Sequence, residues 1–502
     1  MPSIAHSRSP SGPSASSPTP FHVAIIGGGI TGINLALGLE RRGIPYTVYE
    51  RSPGFREIGA GIGFSPNAEQ AMKLLNPEVF PAYKRTANPN GEDKFQWING
   101  LADELLYSLP VPEDGFLGCK RSEILEEWGK LVPPQNMQFN KMVEAVQEPG
   151  DQGYDPEAGG KILLRFTDGT HVSVDLVIGC DGIRSRLRNH IQSHLDPFSI
   201  QRVAKESYTH KYCYRTLVPM SRAVEAVGQH RASTRFMYNG PGAHIITYPV
   251  GNNSVLNMLA VISDPNEWPD EKRHVLPGTK EDIRQAFKGW HPTAQKLAEL
   301  FPEEKEGGGG PIVKWGIFDT FDFPLPQYYS GRVAVAGDAA HATGPHLGAG
   351  GGLGIEDALV LAELLEKATK LQVWNGPELD TGKILEQALD VYNHLRTQAV
   401  VSWTRKAVDL FQWKDEEVAK DGKKFGKLVT EKFHYVWYDL DLQEMVNIAR
   451  DMLEIGVVEK PMEDMGITGD WETVMEALMR VNLSDTGHTP GTSTWTVSVS
   501  YQ

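Results

Sequence analysis

Residues 21–50 read FHVAIIGGGITGINLALGLERRGIPYTVYE. FHVAIIGG is apolar and bounded by glycine, the pattern of a buried strand. ITGINLALGLERRG places Ile30, Ile33 and Leu37 at helical spacing, and Gly43 ends the run. YTVYE is a second strand. A strand, a helix and a strand within about 30 residues predict a β–α–β unit and a parallel sheet.

The turn inside this unit carries chemistry. Gly27, Gly29 and Gly32 satisfy G-x-G-x-x-G, and Glu50 ends the second strand eighteen residues past Gly32. Gly27 permits the tight turn, Gly29 admits a pyrophosphate to the backbone, and Gly32 lets the helix pack on the sheet. The helix N-terminus favours phosphate charge. Glu50 suits ribose hydroxyls and would repel a 2′-phosphate, so FAD or NAD fits here better than NADP. No second fingerprint follows another strand, so one nucleotide domain is expected.

Outward from this unit, 120–132 read as a helix. KILLRF (161–166) and HVSVDLVIG (171–179) read as a hairpin around TDGT. From about 208 to 262, short alternating runs such as HIITYPV predict an antiparallel sheet in a separate lobe. EEKEGGGG (303–310) is a charged loop, and from about 355 the pattern is mostly helical. GRVAVAGDAAHATGPHLGAGGGLGIEDA (331–358) pairs a strand ending in Asp338 with a glycine-dense loop.

Composition bounds the function. The chain has 502 residues, a net charge of −15, and 40% apolar and 23% charged residues. An acidic balance argues against nucleic acid or an anionic membrane as partner. No apolar run is long enough for a membrane span. Cys119, Cys180 and Cys213 are too sparse for a disulfide framework, and no C-x-x-C or His/Cys cluster suggests a metal. Residues 1–20 lack the apolar core of a secretory signal and read as a disordered leader, which makes the cytoplasm the default location.

Three further stretches narrow the reading: EIGAGIGFSPNA (57–68), DLVIGCDGIRSRLR (175–188) and GRVAVAGDAAHATGP (331–345). With the fingerprint, they resemble the single-component FAD-dependent aromatic hydroxylases of the salicylate-hydroxylase-like branch, over about residues 21–365. The subgroup they look most like is the fungal polyketide hydroxylases that oxidise or dearomatise phenols. The resemblance implies an α/β, overall α+β, fold. Its parts are a Rossmann-type FAD-binding domain (21–205, returning at 326–370), a mixed antiparallel-sheet substrate lobe (206–325) and a helical C-terminal region (371–502).

It also implies roles. FAD is held tightly and without a covalent bond; Glu50 binds its adenosine ribose and Arg121 its pyrophosphate. Gly61 lies at the cofactor. Asp181 and Gly182 belong to a motif shared between FAD and transient NAD(P)H. Asp338 binds the ribityl chain, while Pro345, Gly348, Gly350 and Gly351 lie along the isoalloxazine ring. Many relatives carry a glutamine-containing turn where this chain has HLGAGGGLG. The chemistry implied is NAD(P)H reduction of FAD, reaction with O₂, and hydroxyl transfer to a phenol from a flavin C4a-hydroperoxide.

Bottom-up, an arginine at a helix start offers charge-assisted bonds to phosphate, and a carboxylate at a strand end needs partners or caps the next helix. In the antiparallel lobe, KYCYRTLVP carries Arg215, and GPGAHIITYPV carries His244 and Tyr248 on one face. Arg215 and Tyr248 are the candidates to hold and polarise a phenolate. His244 reads as structural, and His341 as a structural contact near FAD. The alternatives are a decarboxylating salicylate hydroxylase, a flavin halogenase and a non-catalytic flavin module. The tryptophans lack the halogenase pattern W-x-W-x-I-P, and intact flavin motifs disfavour the module. The protein is expected to be a monomer or homodimer.

Overall fold

The parallel sheet forms around Val23–Ile26, whose four residues are all buried. Its strand order is Tyr329–Ser330, Val333–Val335, Leu176–Gly179, Val23–Ile26, Tyr46–Tyr49, Met137–Gln138. All neighbours are parallel except the Tyr329–Ser330 edge. Burial on both faces explains the near-continuous apolar runs in the central strands. The helix Ile30–Arg41 packs so tightly that a Cβ at Gly38 would stand 2.5 Å from Leu75 and 3.0 Å from Ala362.

This computed structural model describes residues 21–55, 61–92, 94–111, 116–195, 204–270, 273–303, 312–375, 379–396, 399–438 and 440–458. The leader, residues 57–60 of the second motif, nearly all of the 303–310 loop and residues 459–502 of the C-terminal region expected to be helical lie outside them.

The hairpin around TDGT forms between Ile162–Phe166 and His171–Val174. The single strand expected over 171–179 is instead two. Asp175 marks the break: its carboxylate accepts the His22 N–H at 2.9 Å and pairs with Lys161 at 3.1 Å. Beyond it, Leu176–Gly179 crosses into the parallel sheet.

The second large sheet has eight strands, ordered Val275–Pro277, Val313–Asp319, Ser207–Pro219, Val255–Ser263, Ala243–Val250, Arg235–Gly240, Lys94–Asn99, Glu104–Pro110. It is antiparallel except where Arg235–Gly240 runs parallel to Lys94–Asn99. The last two strands come from 94–110, inside the range expected for the first part of the FAD-binding domain, so this sheet is not one continuous segment. Alternation divides its faces. Tyr214, Ile245, Met258 and Phe236 pack with Ile283, Trp290 and Leu297 from the adjoining helical segment. The opposite face carries Arg215, Asn257, Leu259, His244, Ile246, Tyr248 and Arg235. Part of that face is covered by the C-terminal helical region, where Phe411, Phe425 and Trp437 lie 6.1–6.4 Å from the Trp97 ring.

The glycine-dense stretch is less loop than its sequence suggests. Helix Gly350–Asn375 begins inside it, so Gly350, Gly351, Gly352 and Gly354 are helical. Close packing explains their lack of side chains. A Cβ at Gly352 would stand 2.9 Å from Ala68, and one at Gly354 would stand 2.0 Å from Thr31 Oγ1.

Candidate functional site

The carboxyl ends of the parallel strands open onto a cleft of about 540 Å³. Of the thirteen residues expected at the cofactor, Gly27, Gly29, Glu50, Arg121, Asp181, Gly182, Asp338, Gly350 and Gly351 line it. The fold thus brings together positions that span more than three hundred residues of sequence. The other four lie elsewhere. Gly32 is a packing glycine, since a Cβ there would stand 2.0 Å from the Gly27 carbonyl oxygen. Gly61 donates its N–H to Asn257 Oδ1 at 2.9 Å, joining the cleft region to the large sheet. Pro345 opens a short 3-10 turn that Gly348 closes with φ of +64°.

The lining has the chemistry of a dinucleotide site. Helix Ile30–Arg41 starts at Gly29 with no side-chain cap, leaving first-turn N–H groups for a ligand. A Cβ at Gly29 would stand 3.8 Å from Arg121 Nη2, so the cradle and the cation face the same space. Glu50 accepts the Gly28 N–H through Oε2 at 2.7 Å and the Ser52 N–H through Oε1 at 2.8 Å. Each oxygen keeps a lone pair for a ribose hydroxyl.

Asp181 serves as a helix cap as well as a wall. It accepts the Ser185 hydroxyl at 2.6 Å and the Arg186 N–H at 2.7 Å, while burial raises its pKa. The Asp338 carboxylate makes no hydrogen bond among the described residues and lines the cleft. Burial raises its pKa against the charges of His341, Arg121 and Arg188. Solvent nevertheless reaches Asp338 through the cleft. An acceptor without a protein donor, at the mouth of a strand, fits a polyol chain.

Beneath Asp338 lies a sealed network that the motifs do not announce. Asp357 Oδ2 accepts the Gly337 N–H at 2.7 Å and stands 2.7 Å from His341 Nε2. Its Oδ1 accepts the Arg396 Nε–H at 2.6 Å, and Arg396 also reaches Glu356 at 3.1 Å. His341 therefore points into this network, as a structural histidine does.

On the large sheet, Arg215 and Leu217 pair across Leu259 and Asn257 with Ile246 and Tyr248. Arg215 and Tyr248 thus share a face, two strands apart and offset by one alternate position. Neither lines the 540 Å³ cleft. The Arg215 guanidinium lies 4.0 Å over the Trp315 ring. Tyr248 has Arg235 over its ring at 4.5 Å. Arg235 is 6% exposed, donates to the Phe116 carbonyl and has no carboxylate partner among the described residues. Burial pushes the Tyr248 hydroxyl up to about 12, against the opposing pull of Arg235 and Arg215. The His244 ring packs at 5.6 Å against His346 of the turn preceding the glycine helix. Burial lowers both histidines, His244 to about 3, so both are neutral near pH 7.

A family described as an FAD binding domain matches residues 21–400. The chain belongs to this FAD-binding family. It is an FAD-dependent monooxygenase, the activity for which its relatives are named. The FAD-dependent monooxygenase orf3 of Aspergillus niger is 41% identical over 452 residues, covering 87% of this chain and 98% of that protein. The FAD-dependent monooxygenase pigN of Monascus ruber is 42% identical over 430 residues, covering 84% and 94%. Salicylate hydroxylase asL1 of Sarocladium schorii is 38% identical over 464 residues, covering 88% and 92%. Among solved structures, a salicylate hydroxylase substrate complex superposes with a TM-score of 0.71 at 27% identity, covering 87% and 98%.

For this monooxygenase, sequence reasoning missed Arg235 and the Asp357–Arg396 pair. Arg235 begins a strand, and alternation with Met237 places it on the Tyr248 face once the pairing is known. Asp357 and Arg396 carry no local signal, because they meet across 39 residues.

Proposed function

We propose that this monooxygenase hydroxylates a phenolic ring at the sheet face bearing Arg215, Arg235 and Tyr248, using NAD(P)H and O₂. FAD, when bound, takes electrons from NAD(P)H and delivers one oxygen atom of O₂ to the ring. The residues around it hold and shield. Gly27, Gly29 and Arg121 hold the pyrophosphate, Glu50 the adenosine ribose and Asp338 the ribityl hydroxyls. Gly350 and Gly351 leave room for the ring system, with the Gly350–Asn375 helix start facing its developing negative charge. Gly61, in the short strand Gly61–Gly63, and the turn bounded by Pro345 and Gly348 shape the segments between cofactor and substrate. Asp181 and Gly182 border both FAD and the incoming NAD(P)H.

The observation that carries the substrate class is the pair of guanidiniums flanking Tyr248. Arg215 is half-buried on Trp315 and Arg235 is buried on Tyr248 itself. Two cations on an apolar, aromatic wall favour an anionic aromatic guest such as a phenolate. Tyr248 stays protonated at neutral pH and donates a hydrogen bond to the phenolate oxygen. The resemblance of the sequence motifs extends the proposal to a polyketide-type phenol of secondary metabolism, with oxidative dearomatisation as one outcome. The proposed setting is the cytoplasm, as a monomer or homodimer; no helix among the described residues is long and apolar enough to cross a membrane.

A panel of phenols separates this reading from others. Substrate-stimulated NAD(P)H oxidation with a product sixteen mass units heavier is expected. Arg215→Ala and Tyr248→Phe are expected to lower product formation more than NAD(P)H consumption; unchanged coupled turnover in both removes them from the mechanism. A second reading, decarboxylative hydroxylation of a salicylate, is favoured by the same two cations, since a carboxylate and a phenolate would each take one. Stoichiometric CO₂ release from a salicylate would select it.

A further inference from the structure

Away from the cleft, helix Arg186–His194 carries His190 and His194 one turn apart. Their rings leave the same helix face with centroids 4.3 Å apart. The chain after strand Val143–Gln147 brings Glu148 and Asp151 to that face. Glu148 Oε1 stands 3.2 Å from His190 Nε2, and Asp151 Oδ1 stands 2.9 Å from His194 Nε2. One ligand atom each from Glu148, His190 and His194 lie within 4.8 Å of one another. Ligands about 2.0–2.2 Å from a tetrahedral zinc ion sit about 3.4 Å apart, so small side-chain rotations close the set.

The opposite atom of three of these groups is already held by backbone. Glu148 Oε2 accepts the Arg332 N–H at 3.1 Å. Asp151 Oδ2 accepts the Glu148 N–H at 2.7 Å. His194 Nδ1 lies 2.9 Å from the His190 carbonyl oxygen, and a proton there leaves the Nε2 lone pair for a cation. Outer contacts of this kind fix ring orientation and tautomer in metal centres. The arrangement therefore brings Glu148 Oε1 and two imidazole nitrogens together from two backbone segments, with Asp151 Oδ1 beside His194.

We propose that Glu148, His190 and His194, with Asp151 as a fourth group, bind a divalent transition metal of the zinc type. Imidazole with carboxylate suits zinc, copper or nickel rather than magnesium or calcium. No member of the set lines the flavin cleft. The ion would clip the 148–151 segment to the helix whose first N–H is held by Asp181, so its role is structural. The sequence reading expected no metal because only the fold brings Glu148 within reach of His190, 42 residues away. The competing arrangement is two histidine–carboxylate ion pairs with no metal, which a helix C-terminus also favours.

Titration of the FAD-loaded protein, stripped with chelator, distinguishes the two. One equivalent of Zn²⁺ per chain, a raised thermal midpoint and tetrahedral Co²⁺ absorption bands are expected. Glu148→Gln should weaken Zn²⁺ binding at least tenfold, and His190→Gln/His194→Gln should abolish it, both with flavin absorbance retained. If the double variant does not fold, the Glu148→Gln titration alone decides. Binding that is no tighter in the parent than in Glu148→Gln overturns the site. So does a single equivalent that survives in the folded double variant.

Discussion

The Asp357 carboxylate stands 2.7 Å from His341 Nε2, in a sealed layer beneath the strand end that presents Asp338. The same carboxylate holds the Gly337 N–H, and Gly337 precedes Asp338. The cleft acid is therefore placed by a buried pair. Asp357→Asn leaves Arg396 with Glu356 alone and takes the anion from His341, and removing one partner of a buried pair costs about 3–5 kcal/mol. We expect a stability loss of that order by denaturant unfolding, with fewer flavins retained per chain.

Stability should also depend on pH through His341. Burial alone would lower its pKa, but Asp357 outweighs burial and raises it. A group raised on folding contributes fully below its unfolded value, about 6.5, and its contribution fades as pH climbs through the folded value. The gap in thermal midpoint between the parent and His341→Gln should therefore be widest near pH 6 and shrink at higher pH. A gap that widens with pH would contradict this assignment.

The glycines of the helix start should separate into two kinds. A Cβ at Gly354 meets Thr31 Oγ1 at 2.0 Å, whereas one at Gly350 meets Thr343 Oγ1 at 3.3 Å and faces the cleft. Gly354→Ala should destabilise the flavin-free protein by about 1–3 kcal/mol through overpacking. Gly350→Ala should fold normally and bind FAD more weakly. Thermal melts of the apoprotein and flavin titrations measure the two effects independently.

How far the sequence carried the reading depended on how local each feature was. The β–α–β unit was readable because its glycines are short-range signals; Asp181 and Asp338 were singled out through the resemblance of their motifs, and with Glu50 they line the cleft. The stretch at 348–354 reads as loop because glycine density masks a helix whose constraint, Thr31 and Ala68, lies some three hundred residues upstream. Strands Lys94–Asn99 and Glu104–Pro110 carried no sign of which sheet they join, since that depends on pairing with Arg235–Gly240. Arg235 and Asp357 were missed for the same reason: the partner that places each is distant in sequence.

At the sheet face, Arg235→Met keeps volume and removes the charge over Tyr248. Product formation should fall by about 10²–10³-fold, the scale for losing one preorganised electrostatic contact. Flavin content should be unchanged. Because the Tyr248 hydroxyl is pushed up to about 12, product formation should show no limb from this residue between pH 6 and 9. A basic limb that disappears in Tyr248→Phe would contradict that.

The central claim is that this chain activates O₂ on FAD and places one oxygen atom in a phenolic ring. The most direct measurement is turnover under ¹⁸O₂ with NAD(P)H and the best phenol of the panel. The account predicts a flavin-containing protein and a product with one ¹⁸O atom per NAD(P)H consumed. NAD(P)H consumption that yields only hydrogen peroxide with every phenol tried, or product oxygen that comes from water, would contradict it.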